Sequence, residues 1–216
     1  MVLRWVDLLI HHKDYELAAD LMDNTYIFPT EMNQRVSYVH TCYAEAHFGL
    51  GEKYLEEGKY REALDQFETG SKYPAHLNDI YASNAVTSRR DFLIGLAHEK
   101  SGNKKKAREQ WEKVIHGNSR EFSESDFYKV LALYKVGKKS EGKEQLDALI
   151  SHHTEKLNNV QDEHEKSMSH YVLYRVYDHL GKKEEAEEHF RKGLSLNHKM
   201  VIDGRLEGTY VPVIEL

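Results

Sequence analysis

Apolar residues in this chain recur at intervals of three and four, the spacing that places side chains on one face of a helix. Leu3, Val6, Leu9 and Ile10 make the first such face, over residues 2–11, and residues 15–22 supply its partner. A loop over 24–33, containing Phe28-Pro29, separates this pair from a long helix over 34–57, with Val36, Val39, Tyr43, Leu50 and Tyr54 facing inward. The same spacing predicts helices over 60–71, 84–100, 104–116, 123–136, 139–157, 162–180 and 183–196, with a loop over 73–81 and a turn over 117–120.

The punctuation between these helices repeats. Gly58-Lys59-Tyr60-Arg61-Glu62-Ala63 returns as Gly102-Asn103-Lys104-Lys105-Lys106-Ala107, as Gly137-Lys138-Lys139-Ser140-Glu141-Gly142, and as Gly181-Lys182-Lys183-Glu184-Glu185-Ala186. A worn copy, Lys13-Asp14-Tyr15-Glu16-Leu17-Ala18, stands near the start. Glycine tolerates the left-handed conformation that ends a helix, so each glycine reads as the residue just past a C-terminus. The helix that follows carries one inward face: Ala63, Phe67 and Gly70, then Ala107, Trp111 and Val114, then Gly142, Leu146 and Leu149, then Ala186, Phe190 and Gly193. Such a hairpin cannot bury its apolar face alone and must stack on neighbours. The glycines are spaced by 44, 35 and 44 residues, which leaves room for longer first helices and loops in two of the intervals.

The pattern resembles the tetratricopeptide repeat, whose unit is about 34 residues. Residues 44–74 carry it best, with Leu50, Gly51, Tyr54, Gly58, Tyr60, Ala63, Phe67 and Pro74; residues 89–116 and 170–197 carry it well, and 123–150 in part. The resemblance implies an all-α helical-hairpin solenoid, a right-handed superhelix of about ten helices over residues 1–200. The remaining 201–216, ending GTYVPVIEL, are expected to form an extended tail. That tail either folds back over the last hairpin or, with the apolar first helix, packs on a further domain or partner.

A second resemblance is to the C-terminal helical region of certain large bacterial proteins that join a β-rich N-terminal domain of unknown function to a tetratricopeptide tail. It rests on Phe28-Pro29-Thr30-Glu31, Ala46-His47-Phe48-Gly49-Leu50-Gly51, Ala63-Leu64-Asp65-Gln66-Phe67-Glu68 leading to Lys72-Tyr73-Pro74, and Leu96-Ala97-His98-Glu99-Lys100-Ser101-Gly102. The helix over 128–137 and Leu194-Ser195-Leu196-Asn197-His198 extend it to about residue 200. Those proteins carry a glycine-bearing loop after the tyrosine-proline pair, whereas Ala75-His76-Leu77-Asn78 has none. The resemblance implies a link to carbohydrate metabolism and transfers no catalytic residue.

Two registers are open for the binding face. Ten residues before each glycine stand Phe48, Phe92, Phe127 and Tyr171, and one turn later Glu52, Leu96, Leu131 and Arg175. In one register these line a concave groove, where rings stack on sugars or hold apolar peptide side chains. In the other the rings are core, because His47, Asp91, Asp126 and His170 would otherwise fill the core position. Clamping a peptide carboxylate, a known use of the repeat family, needs Lys, Asn and Arg where Phe48, Glu52 and Leu93 stand.

Lysines crowd the turns at 59, 104–106, 138–139 and 182–183, either as a solvated edge or as a ridge that steers an acidic partner. Fourteen histidines invite a metal hypothesis. Yet His152-His153 with Glu155, and His164 with His170, lack the i, i+4 spacing of a helical zinc motif. Cys42 falls inside a helix among apolar neighbours and reads as inert core. Formal charge is −6, which argues against non-specific nucleic-acid binding, and no apolar run reaches the roughly 20 residues that cross a membrane. No phosphate loop, nucleophile elbow or catalytic triad is present in the sequence. The reading is a cytoplasmic, non-enzymatic scaffold for a protein or peptide partner, with no cofactor or metal. The alternative is an accessory domain of a carbohydrate-active protein that holds glycan through the aromatics.

Overall fold

A computed structural model describes residues 2–25, 33–72, 74–77, 87–117 and 122–202. Ten α-helices occupy them: α1 (Val2–His11), α2 (Tyr15–Asn24), α3 (Asn33–Glu56), α4 (Tyr60–Gly70), α5 (Thr87–Lys100), α6 (Lys104–His116), α7 (Glu124–Lys135), α8 (Lys139–Asn159), α9 (Glu163–His179) and α10 (Lys183–Ile202). The described residues contain no strand, so the fold is the all-α helical repeat that the pattern implied. The described residues divide into two compact units, those up to Gln110 and those from Trp111 onward.

One turn builds every hairpin. Gly58, Gly102, Gly137 and Gly181 have φ of +76°, +84°, +89° and +71°. At the first of them the Gly58 N–H donates to the Leu55 carbonyl at 3.2 Å, and the Lys59 N–H to the Tyr54 carbonyl at 2.8 Å. This pair of bonds is the Schellman closure, which satisfies two carbonyls left over at the helix end. Asn103 to His98, Lys138 to Leu133 and Lys182 to Tyr177 repeat the longer bond at 2.8, 2.9 and 2.9 Å. The worn copy does the same with a lysine: Lys13 has φ +58°, and the Asp14 N–H reaches the Leu9 carbonyl at 2.8 Å. Asp14 then caps α2 by accepting from the Leu17 N–H at 3.4 Å.

The residues the turn places inward are the ones the pattern selected. Ala63, Phe67 and Gly70 are buried, as are Ala107, Trp111 and Val114, then Gly142, Leu146 and Leu149. In the first unit, α1, α2 and α3 share a core of Val6, Ile10, Ala18, Met22, Val39, Tyr43 and Leu50. Phe48, Phe67, Leu93 and Ala97 carry that core on between α3, α4 and α5. In the second unit Phe127, Val130, Leu146, Leu149, Val172 and Val176 join α7, α8 and α9. Small residues set the spacing. A Cβ on Gly49 would stand 2.2 Å from the Tyr15 ring, and one on Gly51 would stand 2.4 Å from the Phe67 ring.

Two departures from the sequence reading have clear causes. Within the loop expected over 73–81, Ala75–Leu77 forms a turn of 3-10 helix. There Leu77 plugs the first core with no exposed surface, and the His76 ring donates to the Met22 carbonyl at 3.0 Å. An apolar residue in a glycine-free loop was the signal for this anchor. The last helix runs six residues beyond the expected 196, to Ile202, since nothing in Asn197-His198-Lys199-Met200-Val201-Ile202 breaks a helix. The expected loop over 26–32 and the tail 203–216 lie outside the described residues.

Lysine at a left-handed position carries a Cβ penalty that glycine does not, roughly 1 kcal/mol. Lys13→Gly is therefore expected to stabilise the chain by about 1 kcal/mol, raising Tm by about 2–4 °C in a thermal melt. An unchanged or lower Tm would show that the Lys13 side chain compensates for its backbone.

Candidate functional site

The candidate binding face lies on the first helices of successive hairpins, and the structure places its aromatic residues unevenly. Phe48 is fully buried, and Phe92 and Phe127 are 6% and 3% exposed. The register with the rings in the core is the one these three residues adopt. They offer no open face on which a sugar could stack. The physical cause is the 100° turn per residue of a helix: the glycines fix which residue points inward, and the rings ten places earlier lie within the apolar stripe. Phe48 packs edge-on to Phe67 at 6.2 Å between ring centroids, directly beside Gly70. Tyr171 differs, being half-buried.

Over these rings lies a polar layer that joins neighbouring first helices. In the first unit the Arg89 guanidinium on α5 sits 5.4 Å from the centre of the Phe48 ring on α3. It is ion-paired with Glu45 and reaches Glu52 at 3.5 Å, both on α3. The Tyr15 ring lies across Gly49 on the same helix. Burial pushes its phenol up, and the Glu52 carboxylate adds to the effect. In the second unit the Arg175 guanidinium on α9 stands 5.9 Å from the Phe127 ring on α7 and donates to the Tyr128 hydroxyl at 2.8 Å. The Tyr171 hydroxyl donates to Glu124 at 3.1 Å. Each unit thus has an aromatic ring roofed by an arginine from the next first helix, a cation–π contact, with a carboxylate beside it.

Of the sequence-predicted residues, Glu52, Tyr171 and Arg175 belong to this polar layer. Leu96 is half-buried and packs on the core of its unit, as does Leu131. The structure adds Arg89, Glu45, Glu124 and Tyr128. A signal for them was present: Glu45, Arg89 and Glu124 all stand thirteen residues before their turn glycines. Opposite charges at one repeat position meet when first helices stack side by side.

Histidines act as cross-links. The His153 ring on α8 donates through Nε2 to the Phe122 carbonyl at 3.0 Å, and its Nδ1 accepts from the Ser169 hydroxyl of α9 at 3.1 Å. Burial holds its pKa down to about 4. His152 stacks on the Phe122 ring at 4.0 Å. Together they hold Phe122 at φ +57°, an unfavourable conformation for a bulky residue. Among the described residues no group of three histidine, cysteine, aspartate or glutamate side chains could hold a metal ion. Cys42 is buried, with its thiol 3.6 Å from an Asp7 carboxylate oxygen. The turn lysines are exposed. Lys59 and Lys182 lie 5.3 and 5.5 Å over the rings of Tyr54 and Tyr177, four residues before the respective glycines. No described helix is long and apolar enough to cross a membrane.

A family model described as tetratricopeptide repeat matches residues 170–199, which span the α9–α10 turn. No curated protein matches the chain. Among solved structures, YrrB, described as a TPR protein with an unusual peptide-binding site, is 18% identical over 94% of this chain and 90% of its own, with a TM-score of 0.35. The nearly identical TPR-like repeats of a Podosopora anserina protein assigned as a kinesin light chain are 16% identical over 92% and 94%, also at 0.35. A point-substituted form of those repeats gives 16% over 93% and 95%, at 0.38. At such scores they assign no role to any residue of this chain.

Because Phe48 is core, Phe48→Ala should cost about 3–5 kcal/mol in urea unfolding. Glu52→Ala, at a half-exposed ion pair, should cost less than about 1 kcal/mol. Equal costs for the two would mean that the ring is not buried as described.

Proposed function

We propose that the chain is a non-enzymatic interaction scaffold that holds a protein or peptide partner on the face shared by neighbouring first helices within a unit. The observation that carries this is the polar layer above the buried rings. In each unit an arginine, a carboxylate and a tyrosine are held in fixed places by contacts between helices. Side chains already ordered in the free protein lose little freedom when a partner arrives, so less entropy opposes association. Arginine and tyrosine are also the residue types that dominate binding energy at interfaces. The match of residues 170–199 to the tetratricopeptide repeat supports the same reading. Burial of three of the four rings leaves the glycan alternative without a favouring observation.

The test is selection of a displayed peptide library on the full chain, followed by calorimetric titration of the enriched peptides. Arg175→Glu, Tyr171→Ala and Glu52→Lys should each be compared with wild type at matched Tm. At least one of the three is expected to raise Kd about tenfold or more, a loss of about 1.4 kcal/mol. Failure of any peptide to enrich, or binding indifferent to all three substitutions, would count against this face.

A further inference from the structure

The polar pairs that close the hairpins occupy equivalent places but are not chemically equivalent. His47 and His170 stand eleven residues before Gly58 and Gly181, and Gln66 and His189 stand eight after. Nδ1 of His47 on α3 lies 2.8 Å from the Gln66 side-chain amide on α4. Nε2 of His47 lies 3.3 Å from the Asp23 carboxylate on α2. In the last hairpin Nδ1 of His170 on α9 lies 2.8 Å from Nδ1 of His189 on α10.

An amide can turn over and present either its oxygen or its NH2 group, so Gln66 can pair with His47 whether Nδ1 of that ring is bare or protonated. The Asp23 carboxylate can accept only from an N–H, so it pairs with the other nitrogen as a donor. An Nδ1-to-Nδ1 contact has no such freedom. One ring must donate an N–H and the other must keep a bare lone pair. A first proton can be taken up at Nε2 without breaking the bond. A second puts two N–H groups and two positive charges face to face, and the bond is lost.

We propose that the His170–His189 pair is an acid-opened latch on the α9–α10 hairpin, while the α3–α4 hairpin, closed by His47–Gln66, stays shut. The surroundings reinforce the asymmetry. From α10, Glu188 and Lys192 flank the pair as an exposed i, i+4 ion pair; from α9 come Lys166 and Tyr177, the latter stacked on His189 at 5.3 Å. From α8, His153 bonds Ser169, and Lys156 pairs with Glu165 at 2.9 Å; from α7, Glu124 accepts from Tyr171. Among the described residues no carboxylate takes the place that Asp23 has beside His47. Burial holds His170 down to about 4, helped by the charge of His189, and burial lowers His189 as well. Both rings lie below their ordinary value of 6.5, so the unfolded segment binds more protons than the folded one across that interval. The latch is therefore fully closed above about pH 6.5, and its contribution drains away as pH falls through about 4. Other contacts of the closure include a Ser167 hydroxyl bonded to the Gly193 carbonyl at 3.0 Å and the Tyr174–Phe190 ring contact at 5.2 Å.

Hydrogen exchange read by mass spectrometry, corrected for intrinsic rates, tests this on the full chain at about pH 7 and about pH 4.5. Protection in α9–α10 should fall about tenfold or more at the lower pH while α3–α4 changes by less than about threefold. His189→Gln, which copies the α3–α4 hairpin, should reduce that selective loss even though His153 on α8 and His170 and His179 on α9, each lowered by burial, remain. Equal loss in both hairpins, or an unchanged loss in His189→Gln, overturns the latch. Should that variant not fold, nitrogen NMR of the wild-type rings decides at neutral pH. One of His170 and His189 must carry its proton on Nδ1 and the other on Nε2; finding Nδ1 bare on both overturns it.

Discussion

Everything in this chain depends on one backbone closure, the left-handed residue that ends each first helix. At Gly58 and its three counterparts φ is positive, and the N–H of the next residue bonds back across the last turn. That bond fixes where the second helix begins, and the helix then places the residues five, nine and twelve beyond the glycine on the face that meets the first helix. Ala63, Phe67 and Gly70 follow, as do their equivalents in later hairpins. The hairpin starting from Lys13 keeps the rule, with Ala18 and Met22 buried at the first two places. The closure uses no side chain, so it survives the exchange of glycine for lysine at a modest cost.

Much of the fold was therefore legible in the sequence. Glycine has few other reasons to appear at such intervals between amphipathic runs, and a small residue five places after it, followed by a large one, serves a close helix contact. The candidate binding face was less legible. Whether Phe48 lies in a groove or in a core depends on a rotation of one residue, and periodicity alone does not resolve 100°. The layer that covers the ring depends on contacts across 44 or 47 positions of the chain, Arg89 with Glu45 and Arg175 with Tyr128. Equal repeat position gave a clue to the first pair. Nothing local marks the second.

The buried histidines were the least legible feature. Read along the chain, fourteen histidines suggest metal; in the fold, several lie between helices where an apolar residue would also fit. His153 ties α8 to α9 and to the turn before α7. A histidine used this way orients its neighbours more strictly than leucine would, because both ring nitrogens need partners. Such cross-links are silent in a sequence pattern that scores only apolar against polar.

The two glycines in the middle of α3 have a consequence for how the first unit assembles. Each lowers the intrinsic helix preference by about 1 kcal/mol relative to alanine, and each exists so that a ring from another helix, Tyr15 or Phe67, can lie against bare backbone. A peptide with the α3 sequence is thus a poor helix by itself. Its hydrogen-bonded turns become worth forming only as α2 and α4 close on it from either side. Order in this unit spreads outward from contacts between helices instead of from helices formed in advance.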